Sequence, residues 1–213
     1  MRYLFLLFII CIKLFTNYNL NIYYPEFENI DLVYDDISEK DVNITFCCAA
    51  SFTEKKLNKF THSNIAGTHV SNGQIYNGYD CKINTGAFIW YNKEWKFVLG
   101  DASESFKQTA NNNGIGFSQN MIIYNYKVQP IWRHNIRTYR ALCELDNKLC
   151  IVQSNKPIPY YKFVKMLKNK NIKHAMYLDM GSWNHAWFRK NNQIYYINNN
   201  KHNYYTNWIV FKV

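Results

Sequence analysis

The chain has 213 residues and a mass of 25.5 kDa, a length that suits one domain with a sizeable core and argues against two. Hydrophobic residues make up 48% of the chain and aromatic residues 18%, so the composition excludes an intrinsically disordered protein. The formal net charge is +10, and the part from Val42 onward carries +14, with 22 Lys and Arg against 8 Asp and Glu. Such a charge suits an anionic partner, although a solvated lysine-rich surface is the simpler interpretation of the lysines at 165, 168, 170 and 173.

The N-terminus predicts export. Arg2 precedes an apolar run from Tyr3 to Ile12, which Lys13 ends. This run fits the hydrophobic region of a signal peptide and falls short of the roughly 17–25 residues that span a bilayer. No small-residue cleavage site follows, so we expect residues 1–15 to be either a signal peptide or an uncleaved N-terminal anchor. The protein is then periplasmic or extracellular, free or anchored to a membrane; an N-terminal helix or strand buried in the domain is the alternative.

The positions of the acidic residues and the cysteines limit how the remainder of the chain can be organised. Seven of the fifteen acidic residues lie between Glu26 and Asp41. We therefore expect residues 16–41 to form an acidic N-terminal arm or edge strand, followed by a single domain over residues 42–213. The cysteines after Cys11 show no metal-ligand spacing, so we predict no metal site and no cofactor. Cys143 and Cys150 should lie opposite each other in a hairpin, either bridged or as small buried residues.

Strand patterns dominate the first two thirds of the chain, and one strong helix follows. The apolar run Asn43–Ser51 predicts a central strand, and Ile158–Asn169 predicts an amphipathic helix before a buried strand at Lys173–Leu178. Together these patterns favour an α+β fold, a mixed and mostly antiparallel sheet with helices packed on it. Three short polar segments predict hairpin turns, at Ser71-Asn72-Gly73, Asn92-Lys93 and Asp146-Asn147.

The most distinctive stretch is the end of the predicted strand at Leu178. It delivers Asp179, the only acidic residue after Asp146, into a turn of small and polar residues. A carboxylate at a strand end on a basic body is typical of a catalytic or orienting group. The alternative is a structural aspartate that caps the turn or pairs with an arginine.

This stretch resembles the C-terminal part of the phosphodiester glycosidase family. The family ends the strand in Leu-Asp-Gly-Gly-Gly-Ser-Ser, where this chain has Leu-Asp-Met-Gly-Ser-Trp-Asn, so that Asp179 and Gly181 match. Upstream, Tyr139–Cys143 resembles the family's Arg-Thr-Ala-Ile-Gly strand, and Asn64–His69 is similar to its Asn-Gly-Gly-Phe-Phe segment with the aromatics lost. The resemblance covers about Asn43 to Arg189 and implies a single phosphodiester glycosidase-like domain.

The resemblance implies hydrolysis of a sugar from a sugar phosphodiester or phosphorylated glycan. Asp179 would stabilise the oxocarbenium-like transition state or activate water, and Arg140 or Arg137 would clamp the phosphate. His69 would supply a proton or a hydrogen bond. The implied substrate-binding residues are Gly181, Ser182, Trp183, Asn184, Arg137 and Asn64.

Structural alternatives stay open for each of these residues. His69 would otherwise be an ordinary strand histidine, and Arg140 would form an ion pair with Glu144 or Asp179. Because the departures from the family pattern fall in the turn that should touch substrate, a non-catalytic glycan-binding protein on the same fold is the second hypothesis. A basic surface protein that binds anionic polymer or lipid through charge alone is the third. The export signal argues against nucleic acid as a partner.

Overall fold

The computed structural model describes residues 18–34, 37–53, 61–81, 85–130, 134–180, 184–199 and 206–213. Strands take up 51% of these residues and helices 13%. The strands and helices in chain order are β1 Leu20–Tyr23, β2 Asn29–Val33, β3 Ile44–Ala49, a 3-10 turn at His62–Asn64, β4 Thr68–Ser71, β5 Gln74–Asn77, β6 Gly86–Tyr91, β7 Glu94–Leu99, α1 Ser103–Asn111, β8 Ile115–Gln119, β9 Met121–Tyr124, β10 Lys127–Val128, β11 Ile136–Arg137, β12 Arg140–Leu145, β13 Lys148–Ser154, β14 Ile158–Pro159, α2 Tyr160–Asn169, β15 His174–Leu178, β16 Ala186–Lys190, β17 Gln193–Asn198 and β18 Trp208–Lys212.

The strands form three larger sheets and one short two-stranded ladder, β11–β14. The first sheet has the order β1-β13-β12-β15-β9-β10, the second β17-β16-β3-β18-β2, and the third β5-β4-β8-β6-β7. Every ladder between these strands is antiparallel. The predicted α+β class, with helices packed on one mixed sheet, was therefore wrong: the fold is dominated by several antiparallel sheets. Short turns join β4 to β5, β6 to β7, β9 to β10, β12 to β13 and β16 to β17, and antiparallel hairpins of this kind need no helical crossover.

The predicted hairpin turns are confirmed, and their backbone explains them. Asn72 and Gly73, Asn92 and Lys93, and Asp146 and Asn147 all have positive φ, as two-residue type I′ turns require. The last turn sets Cys143 opposite Cys150 and Arg140 opposite Gln153. Both cysteines of this pair are buried free thiols, and burial raises the pKa of each.

The main core lies where the inner faces of the three sheets meet. It includes Phe46 of β3, Phe117 of β8, Leu142 of β12, Met176 of β15 and Phe211 of β18, all with at most 1% of their surface exposed. Burial of aromatic and aliphatic side chains on this scale stabilises the fold by about 25 cal/mol for each Å² removed from water. The main core therefore ties the three sheets into one body.

The two helices cover outer faces of the sheets. α1 packs Phe106 against Val70 and Ile89 of the third sheet, and α2 belongs to a cluster with the outer face of the first sheet, where Phe163 lies near Tyr139. The helix predicted at Ile158–Asn169 begins two residues later, because Ile158 and Pro159 pair with Arg137 and Ile136 as β14. Within the described residues, neither helix is long and apolar enough to cross a bilayer.

The antiparallel register sorts the strand ends into two rims. One rim, the loop rim, holds the strand ends at Ala49, Thr68, Gln119, Arg140 and Leu178. Hydrogen bonds join the sheets there: the Asp179 amide donates to the Ala50 carbonyl, and the Ser51 hydroxyl donates to the Ala66 and Ser118 carbonyls. The opposite rim, the turn rim, carries the tight turns at Asn72-Gly73, Asn92-Lys93, Asp146-Asn147 and Asn191-Asn192.

Candidate functional site

Buried polar side chains gather at the loop rim. The turn rim is closed by short turns, whereas the loop rim carries most of the polar residues that are excluded from water. These are Ser51, Thr53, Asn64, His69, Gln119, Asn120, Arg140, Gln153, Asp179, His185, Thr206 and Asn207. A buried polar group costs free energy unless it is hydrogen-bonded, so such a cluster is either a fully satisfied network or a site that a ligand completes.

Asp179 lies where strands of two sheets meet. β15 ends at Leu178, which pairs with Arg140 of β12, and Asp179 is the next residue. Its backbone amide donates to the carbonyl of Ala50, just beyond the end of β3, over 3.0 Å. Its side chain is largely buried. The structure therefore places this carboxylate at the junction of the first and second sheets, as expected of a group delivered by a strand end.

Arg140 is fully buried beside this junction, and its guanidinium is held by uncharged acceptors. Nε donates to Gln153 Oε1 over 2.9 Å, and Nη2 donates to the carbonyl of Asn184 and to Asn198 Oδ1, each over 3.1 Å. Gln153 in turn donates to Asn198 over 3.0 Å. Three elements, β13, β17 and the segment before β16, thus fix the orientation of one guanidinium.

One guanidinium nitrogen of Arg140, Nη1, takes no part in these hydrogen bonds. Nη1 has no hydrogen-bond acceptor in the part of the chain that the structure describes, although the Cys48 thiol lies beside the guanidinium. Burial lowers the pKa of Arg140, and burial raises the pKa of Cys48 to about 11, so the thiol is a neutral, weak acceptor. A desolvated cation held only by dipoles is costly, and an anionic ligand would offset that cost.

Glu144, one of the two carboxylates offered as an ion-pair partner for Arg140, pairs with Lys173 instead. Glu144, at the far end of β12, accepts from Lys173 over 2.7 Å and from the Trp95 indole over 3.3 Å. Glu144 faces the same side of the strand as Arg140 but is four residues away, toward the turn rim. Arg140 therefore does not pair with Glu144.

His69 forms a dyad with His62 at the same rim. His69 is fully buried; its Nδ1 lies 3.3 Å from the Gly67 carbonyl and its Nε2 lies 3.0 Å from His62 Nδ1. A carbonyl only accepts, so His69 Nδ1 carries the proton and its Nε2 accepts from His62. Neutral His62 then presents Nε2 as an acceptor. The ring of His62 stacks on Tyr76, with centroids 3.4 Å apart.

Burial keeps both imidazoles neutral. It lowers the pKa of His69 to about 4, with the hydrogen bond to Gly67 opposing the shift, and it lowers the pKa of the half-buried His62 as well. At neutral pH the dyad can therefore accept a proton or a hydrogen bond but has none of the character of a cation. His69 itself is shielded, so His62 is the member that a ligand can reach.

Of the remaining predicted substrate-binding residues, the structure describes three, and each has a different role. Asn184 contributes its backbone carbonyl to Arg140. The Asn64 amide oxygen accepts from the Thr61 amide over 2.9 Å and so caps the 3-10 turn. Arg137 is half-buried in β11, outside the sheet that carries Arg140. Gly181, Ser182 and Trp183 lie outside the described residues.

The structure therefore joins Arg140 to the Asn184 carbonyl and sets Asp179 one residue beyond Leu178, the strand partner of Arg140, and it places His69 on the same rim in another sheet. The link between them runs through Ser51, which follows the Ala50 carbonyl that holds Asp179. The Ser51 hydroxyl donates to the Ala66 carbonyl over 3.1 Å, two residues before Thr68, where β4 begins.

Sequence reasoning missed several residues of this rim. The pairing of Gln153 with Arg140 follows from a turn that the sequence does predict, because the Asp146-Asn147 turn that sets Cys143 opposite Cys150 also sets Gln153 opposite Arg140. His62 precedes His69 by seven residues, and no periodicity indicates their contact. Asn207 exchanges hydrogen bonds of 2.8 and 2.9 Å with the backbone of Ser51, and a separation of 156 positions in the sequence left no local signal.

In the described part of the chain, no three His, Cys, Asp or Glu side chains are grouped as metal ligands would be. The polar groups of the loop rim are instead a guanidinium, amides, hydroxyls, neutral imidazoles and one carboxylate. Such a set suits an anionic, hydroxyl-rich ligand better than a cation.

The comparison with solved structures agrees with this arrangement at the level of the fold. The chain is similar to the catalytic domain of zebrafish N-acetylglucosamine-1-phosphodiester alpha-N-acetylglucosaminidase, solved in a form auto-inhibited by its pro-peptide. The TM-score is 0.61 at 10% sequence identity, over 92% of this chain and 83% of that one. The chain thus has a phosphodiester glycosidase-like fold. No protein-family model and no curated protein sequence matches it.

Proposed function

We propose that the protein is a hydrolase that cleaves a sugar from a sugar phosphodiester, such as a phosphorylated glycan. The observation that carries the proposal is the register of β12 and β15, which sets Asp179 one residue beyond the pair of Arg140 and Leu178 on a phosphodiester glycosidase-like fold. Fold alone does not imply function, so the argument rests on what these two groups can do together. Export to the periplasm or the extracellular space is part of the proposal.

The reaction breaks the bond between the sugar C1 and the phosphate oxygen. Positive charge develops on the sugar ring as the phosphate leaves, and water adds its oxygen to C1 and loses a proton. The carboxylate of Asp179 supports this step either by stabilising the oxocarbenium-like charge or by taking the proton from water. Its position at the meeting point of two sheets supports the role, because rigid strands hold it in place.

Arg140 supplies the charge that a departing phosphodiester needs. Its guanidinium is oriented by three elements, its acceptors on described residues are uncharged, and Nη1 is still available. A phosphate oxygen on Nη1 would form a charge-assisted hydrogen bond and neutralise the buried cation. Because a phosphate is already a good leaving group, this arrangement requires no strong general acid.

The first experiment measures free sugar released from UDP-N-acetylglucosamine by the wild type, by Asp179→Asn and by Asp146→Asn. Both variants make the same chemical change, but Asp146 lies in a turn on the opposite rim, where asparagine suits its φ of 52°. We expect release by the wild type and by Asp146→Asn, and a loss of at least about 100-fold in Asp179→Asn, the scale of one catalytic acid–base group.

Two other outcomes of this experiment would favour a different function or a different role for Asp179. Equal loss in both aspartate variants would mean that release depends on overall charge or stability, which contradicts the assigned role of Asp179. No release by the wild type from any sugar phosphodiester, together with saturable sugar binding measured by calorimetry, would establish the non-catalytic glycan-binding protein instead. That second function gains support from the burial of Arg140 and Asp179, which limits direct access to both groups.

A further inference from the structure

The helix α2 and its flanks form a charged surface with basic residues alone. From residue 156 to residue 173 the sequence contains six lysines and no acidic residue. Lys165, Lys168 and Lys170 are exposed, and Lys156 and Lys162 are partly exposed. A cluster of this kind attracts anionic surfaces over about one Debye length, roughly 8–10 Å in physiological salt.

The two faces of α2 are sharply divided. Tyr160, Phe163, Val164 and Leu167 are buried against the first sheet. On the outer face, Tyr161, Lys165 and Lys168 follow one another at spacings of four and three residues, so they lie in one row. Tyr161 is 61% exposed. An exposed tyrosine among lysines is the composition found where proteins meet the interfacial region of a bilayer.

The N-terminal chain enters the described structure beside this face. Tyr18 lies under two lysines of α2 and its N-terminal flank, with Lys162 Nζ 3.5 Å and Lys156 Nζ 4.7 Å from the ring centroid. The apolar run Tyr3 to Ile12 is separated from Tyr18 by residues 13–17 alone. Five residues reach at most about 18 Å when fully extended. An apolar segment held in a bilayer would therefore keep the outer face of α2 close to the lipid headgroups.

We propose that the outer face of α2, defined by Tyr161, Lys165 and Lys168, together with the exposed Lys170 just beyond its C-terminus, docks onto an anionic phospholipid bilayer. The apolar run Tyr3 to Ile12 of the sequence and the lysine face are two separate signals, and Tyr18, which follows the run by six residues, lies beside Lys162 of α2. A single apolar anchor gives marginal and reversible attachment, and a polybasic surface beside it makes the attachment stable and selective for anionic lipid. The proposal does not depend on the activity proposed for the loop rim.

The test uses the full-length chain and two kinds of vesicle, pure phosphatidylcholine and phosphatidylcholine with phosphatidylglycerol. The test variant is the triple change Lys165→Gln, Lys168→Gln and Lys170→Gln. The matched control, Lys96→Gln with Lys127→Gln and Lys190→Gln, removes the same charge from exposed positions on β7, β10 and β16. Folding of both variants is checked by circular dichroism, and binding is measured by vesicle co-sedimentation.

We expect the wild type and the control to bind the phosphatidylglycerol vesicles more tightly than the neutral ones, with a preference that weakens as salt is added. Each lysine at an anionic surface contributes about a fivefold factor, so the triple variant at positions 165, 168 and 170 should lose on the order of 100-fold. Its residual binding should equal that to neutral vesicles, where the apolar run alone acts.

Three results would overturn the proposal. The triple variant could keep the wild-type preference for phosphatidylglycerol, which would show that α2 does not meet the membrane. The control could lose as much as the triple variant, which would make net charge rather than this face responsible. Finally, the three lysines could be required for binding soluble dextran sulfate and dispensable for vesicles, which would assign the face to a soluble polyanion.

Discussion

The guanidinium of Arg140 combines full burial with one unused donor, and both features bear on ligand binding. Desolvation of a cation costs several kcal/mol, and the dipoles of Gln153, Asn184 and Asn198 recover only part of that cost. An anion that binds the folded state alone would recover more, and it would raise the apparent stability by RT ln(1 + [L]/Kd). Anion binding at Arg140 should therefore be visible in thermal unfolding without any catalytic assay.

We predict that inorganic phosphate and UDP raise the melting temperature of the wild type and leave that of Arg140→Gln unchanged. At a ligand concentration of about 100 times Kd the stabilisation is about 2.7 kcal/mol, a shift of several degrees. Arg137→Gln serves as the comparison, because Arg137 is the other arginine that the sequence offers as a phosphate clamp. Loss of the shift in Arg137→Gln but not in Arg140→Gln would transfer the anion site to β11.

His69 gives the protein a specific sensitivity to acid. An unfolded histidine has a pKa near 6.5, whereas burial lowers that of folded His69 to about 4. Below pH 6.5 the unfolded chain binds a proton that the folded chain does not, so stability is present above pH 6.5 and falls as the pH drops toward 4. The full effect is on the order of 3 kcal/mol.

We predict that His69→Phe unfolds in urea with a weaker pH dependence between pH 6.5 and 4 than the wild type, although it is less stable at pH 7 because His62 loses its acceptor. His134→Gln is the control, since His134 is exposed and the His62–His69 dyad remains. An unchanged slope in His69→Phe would show that His69 is already protonated or accessible in the folded state.

At the scale of elements, the β12–β13 hairpin decides the geometry around Arg140. Its turn residues Asp146 and Asn147 have φ of 52° and 57°, and the turn fixes the register that brings Gln153 to Arg140. A shift of one residue would turn every side chain of the strand to the other face. The turn therefore controls a hydrogen bond that lies six residue pairs away.

We predict that Asn147→Gly keeps the free energy of unfolding within about 0.5 kcal/mol of the wild type, since glycine adopts positive φ freely. Asn147→Val should lower it by about 1–2 kcal/mol, because a β-branched residue is strained there. Urea unfolding measures both. Equal stability of the two variants would contradict a type I′ turn at this position.

The sequence predicted local elements better than it predicted their assembly. The hairpin turns, the central strand β3, the helix α2 and the strand that delivers Asp179 all follow from nearest neighbours in the chain. The number of sheets does not, because Ala50 with Asp179 and Ser51 with Asn207 are contacts across more than a hundred residues. The His62–His69 dyad was missed for a related reason, since a 3-10 turn rather than a regular strand carries His62.

At the scale of the whole molecule, the two rims divide stability from binding. The turn rim is made of tight turns, in which a substitution that keeps the turn type and the strand register affects the local backbone alone. The loop rim joins all three sheets through hydrogen bonds of Ser51, Asn207 and the Asp179 backbone. Changes at the loop rim should therefore alter stability and anion binding together, whereas changes at the turn rim that keep the strand register should alter stability alone.

The rims can be compared with one substitution on each. Lys93 has φ of 61°, so Lys93→Gly gives an Asn-Gly type I′ turn, relieves strain and loses only the exposed pair with Glu28. We predict that the free energy of unfolding rises by about 0.5 kcal/mol and that the phosphate-induced shift in melting temperature is unchanged.

Ser51→Ala removes the donor to the carbonyls of Ala66 and Ser118, which costs about 1–3 kcal/mol and loosens the contact between the Ala50 and Ala66 segments. We expect its phosphate-induced shift to shrink as well, and a full shift in Ser51→Ala would show that anion binding does not depend on how the loop rim joins the sheets.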